Sequence, residues 1–114
     1  MDTAKKKFGN VEVTYDNSFP SFIMNGCTYH FNFKRDGESK HGIIYHLTLE
    51  DDGTNSKKFH KLHYFFANDN GTISNAVAPK EFQNRYSKKL SDAPTQVRQF
   101  VEAYAGEVLS WDGN

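Results

Sequence analysis

The sequence has little that would cross-link or anchor it. Its 114 residues contain a single cysteine, Cys27, so no disulfide can form within the chain. No apolar run approaches the ~20 residues that a transmembrane helix needs. The basic residues near the N-terminus are not followed by the apolar segment of a secretory signal. We therefore expect a cytoplasmic protein, of a bacterial or phage-infected host or of another cell, that is neither secreted nor held in a membrane.

An excess of positive charge is also missing. The 14 Lys and Arg residues are matched by 14 Asp and Glu residues, so the formal net charge is zero. Non-specific binding to nucleic acid relies on surplus cations, and nucleic acid is therefore not the favoured partner. The sequence contains no glycine-rich phosphate loop, no GxSxG or CxxC motif and no paired carboxylates, so we predict no cofactor.

Aromatic residues are what the chain has in quantity. Ten Phe and six Tyr residues raise the aromatic content to 15%, and each ring can bury a large apolar area. The length suits one globular domain spanning residues 1–114. Residues 1–9 and 112–114 are polar and are expected to be loose ends.

Alternation of apolar and polar residues predicts strands through the middle of the chain. The pair Asn25-Gly26 favours a tight hairpin, because both residues tolerate positive φ. Pairing across that turn sets Phe22 opposite Tyr29 and Met24 opposite Cys27.

The next strands can fold back in turn. A loop over residues 35–40 would set Phe31 opposite Tyr45, and a further turn would set Tyr45 opposite Tyr64. This register places the apolar residues on one face, which a slip of one residue would undo. The stretch 57–69 then reads as a strand, so His60 and His63 point to opposite faces.

The C-terminal segment has the period of a helix. Its apolar stripe comprises Val97, Phe100, Val101, Tyr104, Val108 and Trp111. Asp92 is predicted as the N-cap, with Pro94 in the first turn. Phe82, Tyr86 and Leu90 predict a shorter preceding helix. Residues 11–15 predict an edge strand, and Gly106 is expected to mark a close approach of the helix to the sheet.

The predicted fold is therefore α+β. It is a curled antiparallel meander of about six strands, with the C-terminal helix and the shorter preceding helix packed on one face.

Histidines raise the question of a metal site on the opposite, outer face. The same registers align His30, His46 and His63 in a row, and a His₃ set with an open position can form a catalytic zinc site. Lys61 would repel a cation there, and no carboxylate lies at the centre. We therefore predict no metal, with this row as the alternative.

Apolar residues left on the outer face favour a contact surface. The predicted binding residues are Ile44, His46, Phe59, Lys61, His63 and Phe65. The competing interpretation is that the short helix or the N-terminal arm covers this patch.

We thus predict a small, soluble, non-enzymatic binding or inhibitor protein whose partner is another protein, with self-association left open. The alternatives are a metal-dependent enzyme using the histidine row and a binder of a small apolar ligand held between sheet and helix.

Overall fold

The computed structural model describes residues 4–15, 20–24, 26–51, 61–83 and 87–109. The strands are β1 (Ala4–Phe8), β2 (Val11–Tyr15), β3 (Ser21–Met24), β4 (Cys27–Ser39), β5 (Gly42–Asp51), β6 (Lys61–Asp69), β7 (Thr72–Asn75) and β8 (Ser87–Lys89). Two 3₁₀ turns, Lys80–Phe82 and Leu90–Asp92, precede the helix α1 (Thr95–Glu107).

Strands β1 to β7 form an antiparallel meander in chain order, and β8 pairs in parallel with β6. The α+β architecture with a C-terminal helix on one face is therefore confirmed. The strand count was low: the meander has seven strands rather than about six. The shorter preceding helix is absent from the described residues, where a 3₁₀ turn and β8 stand instead.

The N-terminal hairpin differs from expectation. Residues 4–8 are not a loose end, because they form β1 along the outside of β2. Phe8 is buried in the core, and Gly9, at φ 62°, makes the turn that returns the chain. The strand 11–15 is therefore not an edge strand. Consecutive exposed lysines on β1, residues 5–7, discourage pairing of this edge with another chain.

The predicted pairing of β3 with β4 is confirmed, with Phe22 opposite Tyr29 and Met24 opposite Cys27. The β4–β5 register is not. Phe31 lies opposite Leu49 rather than Tyr45, a displacement of four residues along β5.

The reason is the turn between these strands. No loop spans residues 35–40, because β4 continues past a bulge between Arg35 and Glu38 as far as Ser39. The chain then reverses into Gly42 at φ 120°, where an added Cβ would lie 2.4 Å from the backbone oxygen of Asn68. A short turn built on glycine therefore sets the register.

The β5–β6 register is displaced as well. Tyr45 lies opposite Phe66, which is two residues further along β6 than the predicted partner Tyr64. Both displacements are even numbers of residues, so the paired side chains of β4, β5 and β6 keep their predicted faces. The chain reverses after β6 at Asn70 and Gly71, both with positive φ.

Rings from the sheet and the helix fill the core on the inner face. Phe100 of α1 packs against Phe22 and Phe31 with ring centroids 4.9 Å apart in each case. Phe33 stacks on Tyr104 at 4.5 Å and an interplanar angle of 10°. The predicted apolar stripe is thus the packing face of the helix, and Ala105 and Leu109, which the stripe omitted, are buried with it. Trp111 lies outside the described residues.

The helix begins differently from the prediction. Pro94 occupies the N-cap position without a side-chain capping bond, and Asp92 belongs to the preceding 3₁₀ turn. Near the other end, the helix approaches the turn between β6 and β7, where an added Cβ on Gly71 would lie 3.3 Å from Cα of Gly106. A Cβ on Gly106 itself would meet nothing within 4 Å, so this approach does not require glycine at position 106. Within the described part of the chain, no helix is long and apolar enough to cross a bilayer.

Candidate functional site

The outer face of the sheet carries rows of side chains that run across the strands. Because directly paired residues point the same way, the register defines each row. The first row is Ser21, His30, Glu50 and Lys61; the second is Asn32, Thr48 and His63; the third is Lys34, His46, Phe65 and Lys89. Most of these groups form hydrogen bonds or carry charge, in contrast to the inner face.

A shallow depression of about 220 Å³ lies in the first two rows. It is lined by His30, Asn32, Thr48, Glu50 and Lys61, together with Phe31. The ammonium of Lys61 lies 3.2 Å from the carboxylate of Glu50, with about half of each side chain exposed. Such an exposed pair contributes little to stability, so both groups can exchange their partner for one on another molecule.

Among the strand residues that the structure describes, a large apolar side chain is exposed on this face only at its margin. Ile23, on β3 and directly opposite Thr28, is 65% exposed. Its neighbours on the same strand, Phe22 and Met24, are buried on the inner face. Ile23 therefore offers an apolar contact on the same face as the polar depression.

A histidine pair lies in the second and third rows. Nε2 of His46 and Nδ1 of His63 are 2.8 Å apart, the distance of a hydrogen bond, and the ring centroids are 5.0 Å apart. The hydroxyl of Thr48 is 3.4 Å from the same Nε2. Since His46 lies opposite Phe65 and His63 opposite Thr48, the two rings meet on the diagonal between neighbouring strands.

Aromatic rings enclose this pair. His46 stacks on Phe65 at 4.2 Å and 16°. Phe82, from the first 3₁₀ turn, lies 4.9 Å from the His46 ring, 5.0 Å from the His63 ring and 5.4 Å from the Phe65 ring. Phe65 is consequently only 1% exposed, although it points away from the main core.

This enclosure lowers the pKa of His46 below its ordinary value. Burial is the largest cause, because it penalises the charged imidazolium. The neighbouring His63 and the ammonium of Lys34 lower the pKa further, while the carboxylate of Asp36 acts in the opposite direction. The surroundings of His46 therefore disfavour its charged form.

The three-histidine row does not form. His30 lies opposite Glu50 rather than His46, because of the displaced β4–β5 register. Only His46 and His63 meet, and their nitrogens face each other as hydrogen-bond partners. Among the described residues, no group of three or more His, Cys, Asp or Glu side chains is placed to hold a metal ion.

The predicted binding residues have different positions in the structure. Lys61 is exposed, Ile44 is half-buried opposite Ala67, and Phe59 lies outside the described residues. Phe65 is not the exposed anchor that we expected, because Phe82 covers it. The competing interpretation named the short helix or the N-terminal arm as the cover. Phe65 is indeed covered, but by the 3₁₀ turn Lys80–Phe82 and not by a helix or by the N-terminal arm.

Sequence reasoning placed Thr48 only at the rim of the apolar patch and did not assign Asn32 and Glu50 to a binding surface, although all three line the depression. In the sequence these residues alternate with buried ones. That alternation predicts that they lie on the outer face, but it does not predict that they line one depression. The sequence predicts Phe82 in a helical stripe with Tyr86 and Leu90, whereas in the structure it belongs to a 3₁₀ turn and its ring packs on Phe65.

A second depression, of about 180 Å³, opens at the rim of the domain. It lies between β7, the second 3₁₀ turn and α1, and its lining includes Ile73, Asn75, Leu90, Arg98 and Glu102. Between sheet and helix, where an apolar ligand was the alternative, rings such as Phe31 and Phe100 pack against each other.

Comparison with known proteins does not assign a role to either depression. No protein-family model matches the chain, and no curated protein or solved structure is significantly similar to it. The function has to be inferred from the geometry of the outer face.

Proposed function

We propose that this chain is a small binding protein whose outer sheet face docks an acidic segment of another protein. The observation that carries the proposal is the depression on that face, in which the side-chain amide of Asn32 can donate and the ammonium of Lys61 forms one exposed ion pair with Glu50. The binding surface is thus centred on the first two rows, and Phe65 is not part of it.

Charge argues for an acidic partner. The rows contain three exposed lysines, Lys34, Lys61 and Lys89, against one exposed carboxylate, Glu50. An incoming carboxylate can replace Glu50 at the ammonium of Lys61 or bind Lys34. Complementary charge of this kind steers association and selects the partner more than it adds affinity.

Hydrogen-bonding capacity supports a polypeptide as the occupant. Asn32 supplies an amide and Thr48 a hydroxyl, both of which can bind backbone or side-chain groups. Ile23, at the margin of this face, adds an exposed apolar side chain of the kind found in protein interfaces. Single-stranded nucleic acid is less well supported, because it stacks on exposed rings and the rings of this sheet are on the inner face or covered.

A role in binding rather than catalysis is supported by the histidine pair. His46 and His63 are hydrogen-bonded to each other beneath Phe82, so neither is presented to a substrate as a general base. The hydroxyl of Thr48 in the depression lies 3.4 Å from Nε2 of His46, but that nitrogen is already hydrogen-bonded to His63 at 2.8 Å. It is therefore not available as the base that activates a nucleophile in covalent catalysis.

The proposal is tested with charge variants and a defined ligand. The wild-type protein, labelled for NMR, is titrated with a short peptide rich in Asp and Glu, and separately with the same peptide carrying Asn and Gln instead. We expect the acidic peptide alone to shift the amide signals of His30, Asn32, Thr48 and Lys61. Added salt should weaken the effect, because the groups are exposed.

A charge-reversed variant provides the specific comparison. Lys34→Glu combined with Lys61→Glu should weaken binding about tenfold or more. Lys40→Glu makes the same kind of change in the turn between β4 and β5, away from the rows, and should bind like the wild type.

Three outcomes would overturn the proposal. One is equal binding of the acidic and amide peptides. Another is equal weakening by the Lys40 variant. The third is binding of a single-stranded RNA, with signal changes in the same rows, when the acidic peptide does not bind.

A further inference from the structure

The segment Ala76–Gln83 lies against the outer face mainly through one side chain. Its 3₁₀ turn buries no residue completely, and Val77 is 86% exposed. The amide of Gln83 donates to the carbonyl of Ala78 within the segment itself. Toward the sheet, the backbone N–H of Ala76 donates to the carbonyl of Phe65 at 3.3 Å, and Phe82 supplies the ring contacts.

The surface under Phe82 is unusual because two of its three rings can acquire charge. In the hydrogen bond between His46 and His63, one nitrogen must donate and the other must accept. Two neutral rings satisfy this requirement, and so does a pair that holds one extra proton. A second extra proton leaves two N–H groups facing each other at 2.8 Å, so that the bond is lost and two cations repel each other.

The charged groups on the elements around the pair are of both signs. The described ones are Lys34 and Asp36 from β4 and its bulge, Glu50 from β5, Lys61 from β6, Lys89 from β8, and Lys80 and Glu81 from the 3₁₀ turn. At His46, charge is opposed more strongly by His63 than by Lys34, while Asp36 favours it. The faces of Phe65 and Phe82 can stabilise a single imidazolium through cation–π contact, which favours retention of the first proton and not the second.

We propose that Ala76–Gln83 is a proton-operated latch: Phe82 closes it over the His46–His63 pair, and double protonation of that pair releases it. Two imidazolium ions in contact need water, and water reaches them when Phe82 leaves. The lowered pKa of His46 agrees with a closed state that disfavours charge on this ring. The pair titrates as a coupled unit.

Release would add an apolar and cationic area to the outer face. Phe65 lies directly beneath Phe82 and would become exposed, next to two charged imidazoles and Lys34. If opening of the latch regulates docking, this role rests on the function proposed above, because the added positive charge at low pH would strengthen binding of an acidic partner. The opening itself does not depend on any partner, so the two proposals can fail separately.

The test is an NMR pH titration of the whole protein without ligand. Contacts between the Phe82 and Phe65 rings should be present at about pH 7.5 and lost at about pH 5, a range that histidines titrate across. Core contacts between Phe31 and Phe100 should persist throughout. Amide exchange in Ala76–Gln83, corrected for the intrinsic effect of pH, should be about tenfold or more faster at the lower pH.

Variants identify the groups responsible. The double variant His46→Gln, His63→Gln keeps side chains that can hydrogen-bond but cannot titrate, and should stay closed at the lower pH. If this variant fails to fold, His63→Gln alone should lower the pH of opening or abolish it. His41→Gln, in the exposed turn before β5, serves as the matched control and should open like the wild type.

The proposal is wrong if Phe82 stays on Phe65 in the wild type at the lower pH. It is equally wrong if the double glutamine variant opens at the wild-type pH, or if Phe31–Phe100 contacts vanish together with those of Phe82, because the transition is then global unfolding. A closed state that EDTA opens at neutral pH would assign the pair to a metal ion instead.

Discussion

Replacing Phe65 with alanine tests the burial of a residue that points away from the main core. If the outer face around it is open, the substitution leaves the free energy of unfolding almost unchanged. The structure places the ring between His46 and Phe82 with 1% exposure. We therefore expect a clear loss of stability.

The size of the loss follows from the packing. Burying a Phe side chain contributes about 1.5–3 kcal/mol, and the cavity left by truncation usually raises the cost of Phe→Ala to about 3–5 kcal/mol. One side of this site is covered by a single 3₁₀ turn, so Phe82 can move inward and fill part of the space. The expected loss is thus near the lower end, about 3 kcal/mol.

Urea denaturation followed by circular dichroism measures this loss. With a slope of roughly 1–3 kcal/mol per M, a loss of about 3 kcal/mol lowers the midpoint by about 1–3 M. Ile23→Ala is the matched control on the same face: Ile23 is 65% exposed, and its truncation should change the free energy of unfolding by about 0.5 kcal/mol or less.

A loss below about 1 kcal/mol for Phe65→Ala, equal to that for Ile23→Ala, would refute the reasoning. It would mean that Phe82 does not cover the ring in solution, and the latch would then have no closed state.

Two further predictions concern the backbone and pH. Gly42→Ala should lower the free energy of unfolding, measured by urea denaturation, by about 2 kcal/mol or more beyond the effect of Gly37→Ala. Both glycines have φ near 120°, but only a Cβ at Gly42 would meet a backbone oxygen, at 2.4 Å. Equal losses would show that this contact does not hold the β4–β5 turn. The unfolding free energy of the wild type should be full above about pH 6.5 and fall below it, because the lowered pKa of His46 lets the unfolded chain bind a proton that the folded chain excludes. His46→Gln should flatten that pH dependence, and an unchanged slope would assign it to another group.

Alternation in the sequence determined which side chains face the core. Tyr29, Phe31, Tyr45 and Leu47 are buried on one face as predicted, although the partners across the sheet differ by four and by two residues. The period of a strand is two residues, so an even displacement leaves the faces unchanged. In the C-terminal segment, the spacing of apolar residues with the period of a helix was enough to identify the face that packs on the sheet.

The alternation of apolar and polar residues did not determine which residues lie opposite each other on neighbouring strands. Several registers bury the same apolar set, and the choice among them depended on the bulge in β4 and on the turn at Gly42 against Asn68. The displaced register separated His30 from His46, and thereby replaced a row of histidines with a pair.

The structure alone also decided what lies over the outer face. The spacing of Phe82 fits a helix equally well, and alternation marks Phe65 only as pointing outward. Its burial depends on a contact with a residue 17 positions later in the chain, which periodicity within either segment cannot reveal. Local pattern therefore set the faces of this protein, while long-range contacts decided which outward groups are covered, which are paired and which remain available for binding.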